Sequence, residues 1–262
     1  MPEGDTIHRA AGRLDRALRG QRITRYWAYR PQLLQPNRSG HVVRAVEARG
    51  KNLLLHFDDH RTLYSHMRMT GSWAVYAPHE RWTRPQAQAR VIIETDAHVA
   101  VCFAAPVIEL LSAPQLLRHP TLSTLGPDLL AETLDEDEVL RRLATVGDQP
   151  IGQAILDQRV MAGMGNVYKS EMLFVCQINP FERVHAVPQE TLRKLIRRAR
   201  ESMQYNLQTQ RRITRKSPGP DLWVYERARR PCLRCRSSVQ MKRQGPHGRS
   251  TYYCPRCQGQ DQ

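Results

Sequence analysis

Between residues 6 and 19 the apolar positions Ile7, Ala10, Ala11, Leu14 and Leu18 recur every three or four residues, and arginines fall largely on the opposite face. That period is one side of an α-helix, and Asp5 stands where an N-cap would close the first turn. From residue 21 to residue 110 the rhythm changes to short stretches rich in β-branched and aromatic residues, at 22–27, 42–47, 52–57, 62–66 and 89–94, separated by Gly, Pro, Asn or Asp. Strands at this spacing predict an antiparallel sandwich or barrel. The stretch from Pro120 to Pro127 reads as a connector, after which helical periodicity returns at 135–143, 151–160, 166–176 and 188–207. Residues 211–221, rich in Arg, Lys, Pro and Gly, predict a mobile loop. Beyond it, 239–242 and 250–253 read as the two strands of a hairpin. The expected architecture is therefore α+β and multidomain: an N-terminal β-sandwich flanked by helices at 1–120, a linker at 121–130, a helical domain at 131–222 and a cysteine-bearing module at 223–262.

Length supports this division, because 262 residues exceed one typical domain. Charge narrows the function. Forty Lys and Arg against 25 Asp and Glu leave a formal charge of +15, an excess that favours a polyanionic partner, nucleic acid first. An anionic membrane surface would attract the same charge, but the sequence has neither an apolar run of about 18 residues nor the opening of a signal peptide. A soluble, intracellular protein is expected, at the nucleoid if DNA is the partner.

Four of the six cysteines form two pairs, Cys232-x-x-Cys235 and Cys254-x-x-Cys257, with 18 residues between them. Each pair lets two thiolates reach one tetrahedral ion, so together they predict a closed four-sulfur zinc site with a structural role. A module this short cannot fold on apolar burial alone, and metal binding would contribute much of its folding free energy. Cys102 and Cys176 stand alone in apolar surroundings and read as core residues.

Candidate chemistry begins at the first residues. Removal of Met1 would leave Pro2 with a secondary amine; an α-amino group titrates at about 7.7–8.0, so it is partly neutral and nucleophilic near neutral pH. Such amines attack aldehyde-like carbons to give iminium ions, and the neighbouring Glu3 could serve as general acid. The turn Ala162-Gly163-Met164-Gly165-Asn166 lies between helical patterns, with Asn166 at an expected N-cap; free amides at a helix start bind anions, and the Asn166 amide could add a donor to the same phosphate. Arg249, near the hairpin tip, could hold a phosphate through two donors. Lys51 precedes an apolar strand, and Met69, in the loop His66-Met67-Arg68-Met69-Thr70-Gly71, could wedge into a base stack. Each of these has an ordinary structural alternative: a solvated edge lysine, a core methionine, a plain helix corner, an exposed hairpin arginine.

Taken in order, Met1-Pro2-Glu3-Gly4, Arg49-Gly50-Lys51-Asn52, Ala162-Gly163-Met164-Gly165-Asn166 and the ending from Gly248-Arg249-Ser250 to Cys257-Gln258 resemble the formamidopyrimidine-DNA glycosylase/endonuclease VIII family of base-excision repair enzymes. The resemblance spans Pro2 to Gln258, and the opening Pro2-Glu3-Gly4-Asp5 is similar to the endonuclease VIII branch. It implies a monomeric glycosylase and lyase acting on oxidised pyrimidines in damaged double-stranded DNA, and a helix-two-turns-helix domain followed by a zinc finger. Pro2, Glu3, Lys51 and Arg249 match the catalytic positions, and Arg68, Met69, Asn166 and Arg249 the DNA contacts. Pro2 would attack C1′, Glu3 would protonate the opening sugar, and Lys51 would bind phosphate. Three departures stand out: residues 101–111 carry no arginine to help fill the space of the displaced base, Thr124 replaces an arginine that contacts DNA, and Arg68 replaces a shorter amide. The rival readings are a glycosylase for oxidised purines and a non-catalytic zinc-finger protein that binds damaged DNA.

Overall fold

The computed structural model describes residues 2–259, which form two compact units divided between Thr124 and Leu125. The second unit contains both the helices and the cysteine hairpin.

In the first unit α1 (Gly4–Leu18) precedes β1 (Arg25–Ala28), α2 (Pro31–Leu34), β2 (Val43–Arg49), β3 (Asn52–Phe57), β4 (Thr62–His66), β5 (Ser72–Tyr76), β6 (Ala89–Glu94), β7 (Val99–Phe103), β8 (Val107–Leu111) and α3 (Ala113–Leu117). The strands make two antiparallel four-stranded sheets, β1-β6-β7-β5 and β2-β3-β4-β8. Leu53, Leu55 and Leu63 of one sheet share a core with Val91, Ile93, Ala100 and Cys102 of the other, and Ile7, Ala11, Leu14 and Leu18 of α1 enter the same core. Three strands that alternation did not reveal, β5, β7 and β8, are the instructive misses. Both sheets are covered on their outer faces as well: Trp82 packs on Tyr76, Val101 and Phe103, while Leu116 and Leu122 pack on Leu54, Tyr64 and Leu111. A strand buried on both sides loses its period of two.

Helix α1 begins earlier than its periodicity implied. Glu3, not Asp5, is the N-cap, and the Glu3 carbonyl accepts from the Thr6 and Ile7 amides at 3.0 and 3.1 Å. Asp5 instead sits in the first turn, buried, with its carboxylate accepting from the Thr6 amide at 2.7 Å. On the sheet side, the Asp15 carboxylate accepts from the Val46 amide at 2.8 Å, next to a register shift in β2.

The second unit contains α4 (Glu136–Thr145), α5 (Ile151–Ala154), α6 (Asn166–Val175), α7 (Gln189–Asn206), β9 (Gln240–Gln244) and β10 (Arg249–Tyr253). The helix expected over 151–160 stops at Ala154 and gives way to turns, because Asp157 and Gln158 turn their side chains back on the chain: Asp157 accepts from the Arg159 amide at 2.9 Å and Gln158 from the Gly163 amide at 3.1 Å. The end of the expected linker is not loose chain either. The Ala162 amide donates to the Pro127 carbonyl at 2.9 Å, and a Cβ on Gly126 would come within 2.6 Å of the Val160 and Arg159 carbonyl oxygens.

Residues 211–221 are also more tied down than their composition suggested. The buried Asn206 accepts from the Ile213 amide at 2.8 Å, and the Thr214 and Arg215 amides donate to the Asp221 carbonyl at 2.9 and 3.0 Å. The decisive anchor is Glu171 on α6, wholly buried, whose carboxylate accepts from the Thr214 hydroxyl and from the Trp223, Val224 and Tyr225 amides at 2.7–2.8 Å. Burial pushes its pKa up, while these four donors pull it down. Among the described residues no helix is long and apolar enough to cross a membrane.

Replacing Glu171 by Ala would leave three backbone amides without their acceptor, each at about 1–3 kcal/mol. The expected result is faster tryptic cleavage within 211–216 and a melting midpoint lower by about 5–10 °C, since about 1 kcal/mol moves a unit of this size by a few degrees. Wild-type protease resistance in that variant would contradict the anchoring role.

Candidate active site

In the first unit the backbone sets Pro2 immediately before the N-cap of α1; Met1 lies outside the described residues. Pro2 is half-buried and lines a cavity of about 770 Å³ together with Thr6, Met67, Gly71 and Trp73. Glu3 is wholly buried.

Lys51 sits in the two-residue turn between β2 and β3, where Arg49 pairs with Asn52. Gly50 takes φ 60°, which the first position of such a hairpin turn demands. The base of the turn is locked: the Asn52 amide donates to the Arg49 carbonyl at 2.9 Å and its oxygen accepts from the Tyr64 hydroxyl at 2.9 Å. Asn52 also pairs with His66, so the Lys51 turn and the loop after β4 are neighbours. Burial, reinforced by the positive charges of Arg68 and Lys51, pushes the His66 pKa down to about 4. His66 is therefore neutral near pH 7, and its Nδ1 accepts from the Arg68 amide at 3.1 Å.

That loop sorts its two methionines. Met67 points inward and is 3% exposed, whereas Met69 is 66% exposed. Arg68 between them has φ 47°, and the Gly71 amide closes the turn on the Met67 carbonyl at 2.8 Å. A Cβ on Gly71 would lie 2.8 Å from that carbonyl, so the tight turn requires glycine. Within residues 67–70 the exposed apolar side chain is thus Met69. The segment 101–111 forms the end of β7, a turn and β8, and Thr70 donates to the Ala104 carbonyl at 3.0 Å. The Thr124 hydroxyl donates to the Pro120 carbonyl at 2.8 Å.

In the second unit Gly165, not Asn166, is the N-cap of α6. Asn166 is its first residue, and the side-chain amide donates to the Ser250 carbonyl and hydroxyl at 2.8 and 3.1 Å. Its donor hydrogens are thus turned toward β10, while its Oδ1 is buried with no hydrogen-bond partner among the described residues. Arg249, one residue before Ser250, is exposed, and its guanidinium makes no hydrogen bond or ion pair among the described residues.

Sequence reasoning passed over Lys169. It is wholly buried and donates to the Ser250 carbonyl at 3.0 Å and the Thr251 hydroxyl at 2.7 Å. The signal was available: Asn166, Lys169 and Ser170 lie three and four apart, on one helical face. Ser170 joins them by accepting from the Tyr252 amide at 3.3 Å. Glu171 was missed for the same reason, since a charged residue on a helix reads first as solvated.

The four cysteine sulfurs at 232, 235, 254 and 257 lie within 4.8 Å of one another, with Cys235–Cys254 at 3.4 Å and Cys232–Cys257 at 3.9 Å. Tetrahedral zinc with sulfurs at about 2.3 Å needs them roughly 3.8 Å apart, so the cluster fits that ion. Cys102 and Cys176 are buried, as expected of core residues.

The chain matches the models of the formamidopyrimidine-DNA glycosylase N-terminal domain over residues 1–106, the formamidopyrimidine-DNA glycosylase H2TH domain over 125–217, and the zinc finger found in FPG and IleRS over 230–259. It is 41% identical to the "Probable endonuclease 8 2" of Streptomyces coelicolor, covering 98% of this chain and 94% of that protein. The chain belongs to the formamidopyrimidine-DNA glycosylase/endonuclease VIII family. Within this family it is 36% identical to the "DNA-(apurinic or apyrimidinic site) lyase Nei2" of Mycolicibacterium smegmatis, covering 98% and 99% of the two chains. It is 32% identical to the "Endonuclease 8" of Escherichia coli, covering 98% and 100%. The Lactococcus lactis Fpg, solved with DNA containing an N7-benzyl-Fapy-dG, shares its fold with a TM-score of 0.83 at 23% identity, covering 98% and 100%.

Two outcomes follow from this geometry. A histidine held neutral binds no proton in the folded state until the pH nears 4, whereas unfolded it binds one near 6.5, so stability falls as the pH drops through that window and levels off below it. Thermal melts of His66→Asn across the same range should show a flatter slope than wild type. Stripping the metal with a chelator should expose the 232–257 segment to protease and weaken DNA binding, because Arg249 then loses its hairpin support. Full DNA affinity in the metal-free protein would rule out a role for the finger in binding.

Proposed function

We propose that this protein is a bifunctional DNA glycosylase and apurinic/apyrimidinic-site lyase that removes oxidised pyrimidines from duplex DNA. The observation that carries the reading is the placement of Pro2 at the mouth of the 770 Å³ cavity, beside a buried Glu3 at the start of a rigid helix. A structural N-terminus has no need of a cavity, and a pure binding protein has no need of the amine. The names of the relatives, endonuclease 8 and apurinic or apyrimidinic site lyase, support glycosylase and lyase chemistry.

In this scheme, once Met1 is removed, the neutral Pro2 nitrogen attacks C1′, the bond to the damaged base breaks with its electron pair leaving on the base, and the proton the nitrogen sheds passes to that base. Glu3 gives a proton to the sugar ring oxygen as the ring opens, and an iminium links Pro2 to C1′. The positive nitrogen acidifies the C2′ proton; its removal expels the 3′ phosphate, and a second elimination expels the 5′ phosphate. Water then hydrolyses the iminium and frees Pro2.

Lys51 is assigned to a phosphate beside the reacting sugar, held there by its locked turn. Arg249 is assigned to the phosphates being cleaved, since its guanidinium is the exposed cation that β10 presents. Asn166 contributes backbone amide at the α6 start and, by holding Ser250, sets the strand that carries Arg249; to bind phosphate with its own side chain it would have to release Ser250. Taking a base out of the stack costs a few kcal/mol, and Met69 is assigned to the vacated space, with Arg68 facing the orphaned base. One bound zinc, held by the four cysteines, would supply structure alone.

Duplexes carrying 5-hydroxyuracil, 8-oxoguanine or an abasic site, incubated with the protein and reduced with borohydride, test the reading. An adduct mapped to Pro2, in higher yield on 5-hydroxyuracil than on 8-oxoguanine, is the expected result, and Pro2→Gly should bind but lose at least about 100-fold in base release, the scale on which catalytic groups act. Higher yield on 8-oxoguanine would move the substrate to oxidised purines. Tight binding with no adduct on any duplex would leave only a damage-binding role.

A further inference from the structure

A second face of the first unit combines aromatic rings and guanidinium groups that the scheme above does not use. β1 is an edge strand, and its alternation sends Tyr26 and Ala28 inward and Arg25 and Trp27 outward. Across on β6, Trp27 faces Ile92 and Arg25 faces Glu94, and the Tyr29 amide continues the ladder to the Arg90 carbonyl at 3.0 Å. Trp27 is 37% exposed, and among the described residues no ring or guanidinium lies against it. Beside it, Tyr29 is flanked by Arg30 and Arg90, at 5.0 and 4.9 Å from its ring centre.

This face is hollowed rather than flat. A depression of about 480 Å³ is lined by Trp27, Tyr29 and Arg90, and one of about 610 Å³ by Arg81, Trp82 and Arg84. The two share Arg25, Gln86 and Ile92, and the second shares Glu80 and Thr83 with the cavity that holds Pro2. The depressions that Trp27 and Trp82 line thus adjoin through Arg25, Gln86 and Ile92. Their cations outnumber their anions: Arg25, Arg81, Arg84 and Arg90 stand against Glu80 and Glu94, of which Glu94 is taken by Arg25 at 2.8 Å.

We propose that this face binds single-stranded nucleic acid, with a base stacked on Trp27 and the neighbouring phosphates held by Arg25, Arg81 and Arg90. The chemistry selects a single strand over a duplex, because the base faces of a duplex are covered by their neighbours and an exposed indole can stack only on a base already out of the helix. Stacking on an aromatic side chain in a basic groove is how proteins hold single strands without regard to sequence. The surface requires neither Pro2 chemistry nor zinc, so it stands apart from the proposed reaction.

The test uses the full chain and a short fluorescein-labelled oligothymidine, read by anisotropy at low salt. Trp27→Ala should weaken binding by about tenfold, in line with the stacking contribution of one base, and Trp27→Phe should recover most of it by keeping a ring. Arg81→Ala should lower both the affinity and its salt dependence. Base release from lesion duplexes should be unchanged in all three, and Pro2→Gly should bind the oligothymidine as the wild type does, so that failure of the proposed reaction and failure of this surface are separable. With 5-iododeoxyuridine in the strand, light should cross-link it to the tryptic peptide containing Trp27. Wild-type affinity in Trp27→Ala, equal losses in the Ala and Phe variants, or cross-links confined to other segments would overturn the proposal. So would Trp27-dependent binding of an acidic aromatic peptide in place of the oligothymidine, which would make the face a protein-docking surface.

Discussion

A chain end frays unless something ties it down, and an amine proposed to meet one sugar carbon could not act from a frayed end. The burial of α1 is what removes that freedom. Ile7, Leu14 and Leu18 are each 2% exposed or less, and full burial of such side chains is worth about 1.5–3 kcal/mol apiece. Asp15 fixes the helix along its axis by accepting from Val46, and a slip of one residue would break that bond and turn the apolar face off the core. The start of α1 is then held by contacts lying more than a turn away from it. Starting the helix at Gly4, two residues before its periodicity implied, leaves Pro2 directly before the N-cap.

The second unit meets a similar demand with polar groups. A cysteine hairpin of this length has almost no core of its own: Val239, Tyr253, Pro255 and two cysteines are its buried apolar side chains among the described residues. Helix α6 supplies the missing partner. Asn166, Lys169 and Ser170 grip β10, and Glu171 holds the chain that leads into the hairpin. On the far side, the Gln258 amide donates to the Ile178 carbonyl at 2.7 Å. A lysine and a glutamate buried on neighbouring positions of one helix would be costly if either lacked partners. Here each is matched by hydrogen bonds, so the helix specifies a single seat for the hairpin and hence for Arg249.

How far the sequence disclosed this depends on whether a residue's partner is nearby in the chain. The apolar stripe of α1, the strands β3, β4 and β6 and the zinc ligands are local patterns, and they were legible to within a residue or two. β5, β7 and β8 were not, because the coverings that erase their alternation, Trp82 and the segment around Leu116, are contributed by other parts of the chain. The helix start failed for a similar reason: Asp5 is the better N-cap by residue type, yet Glu3 takes the position because Asp5 is drawn inside. Among the residues proposed for the site, Pro2, Lys51 and Arg249 were singled out through motifs whose spacing survives in sequence. Lys169 and Glu171 escaped because their partners lie 43 to 82 positions away, at separations no periodicity records.

The loop after β4 joins these threads. A non-glycine residue in the left-handed region costs roughly 1–2 kcal/mol, yet Arg68 occupies it at φ 47°. What offsets the cost is the acceptance of its amide by His66 Nδ1, available only while the imidazole is neutral. The charges that keep His66 neutral include Arg68 and Lys51 themselves, acting on a ring already disfavoured as a cation by burial. The cations that would meet phosphate therefore also maintain the acceptor that shapes the turn. With the turn set, Met67 is committed to the core and Met69 to solvent, so the side chain available to enter a base stack is chosen by backbone geometry and not by the side chain's own preference.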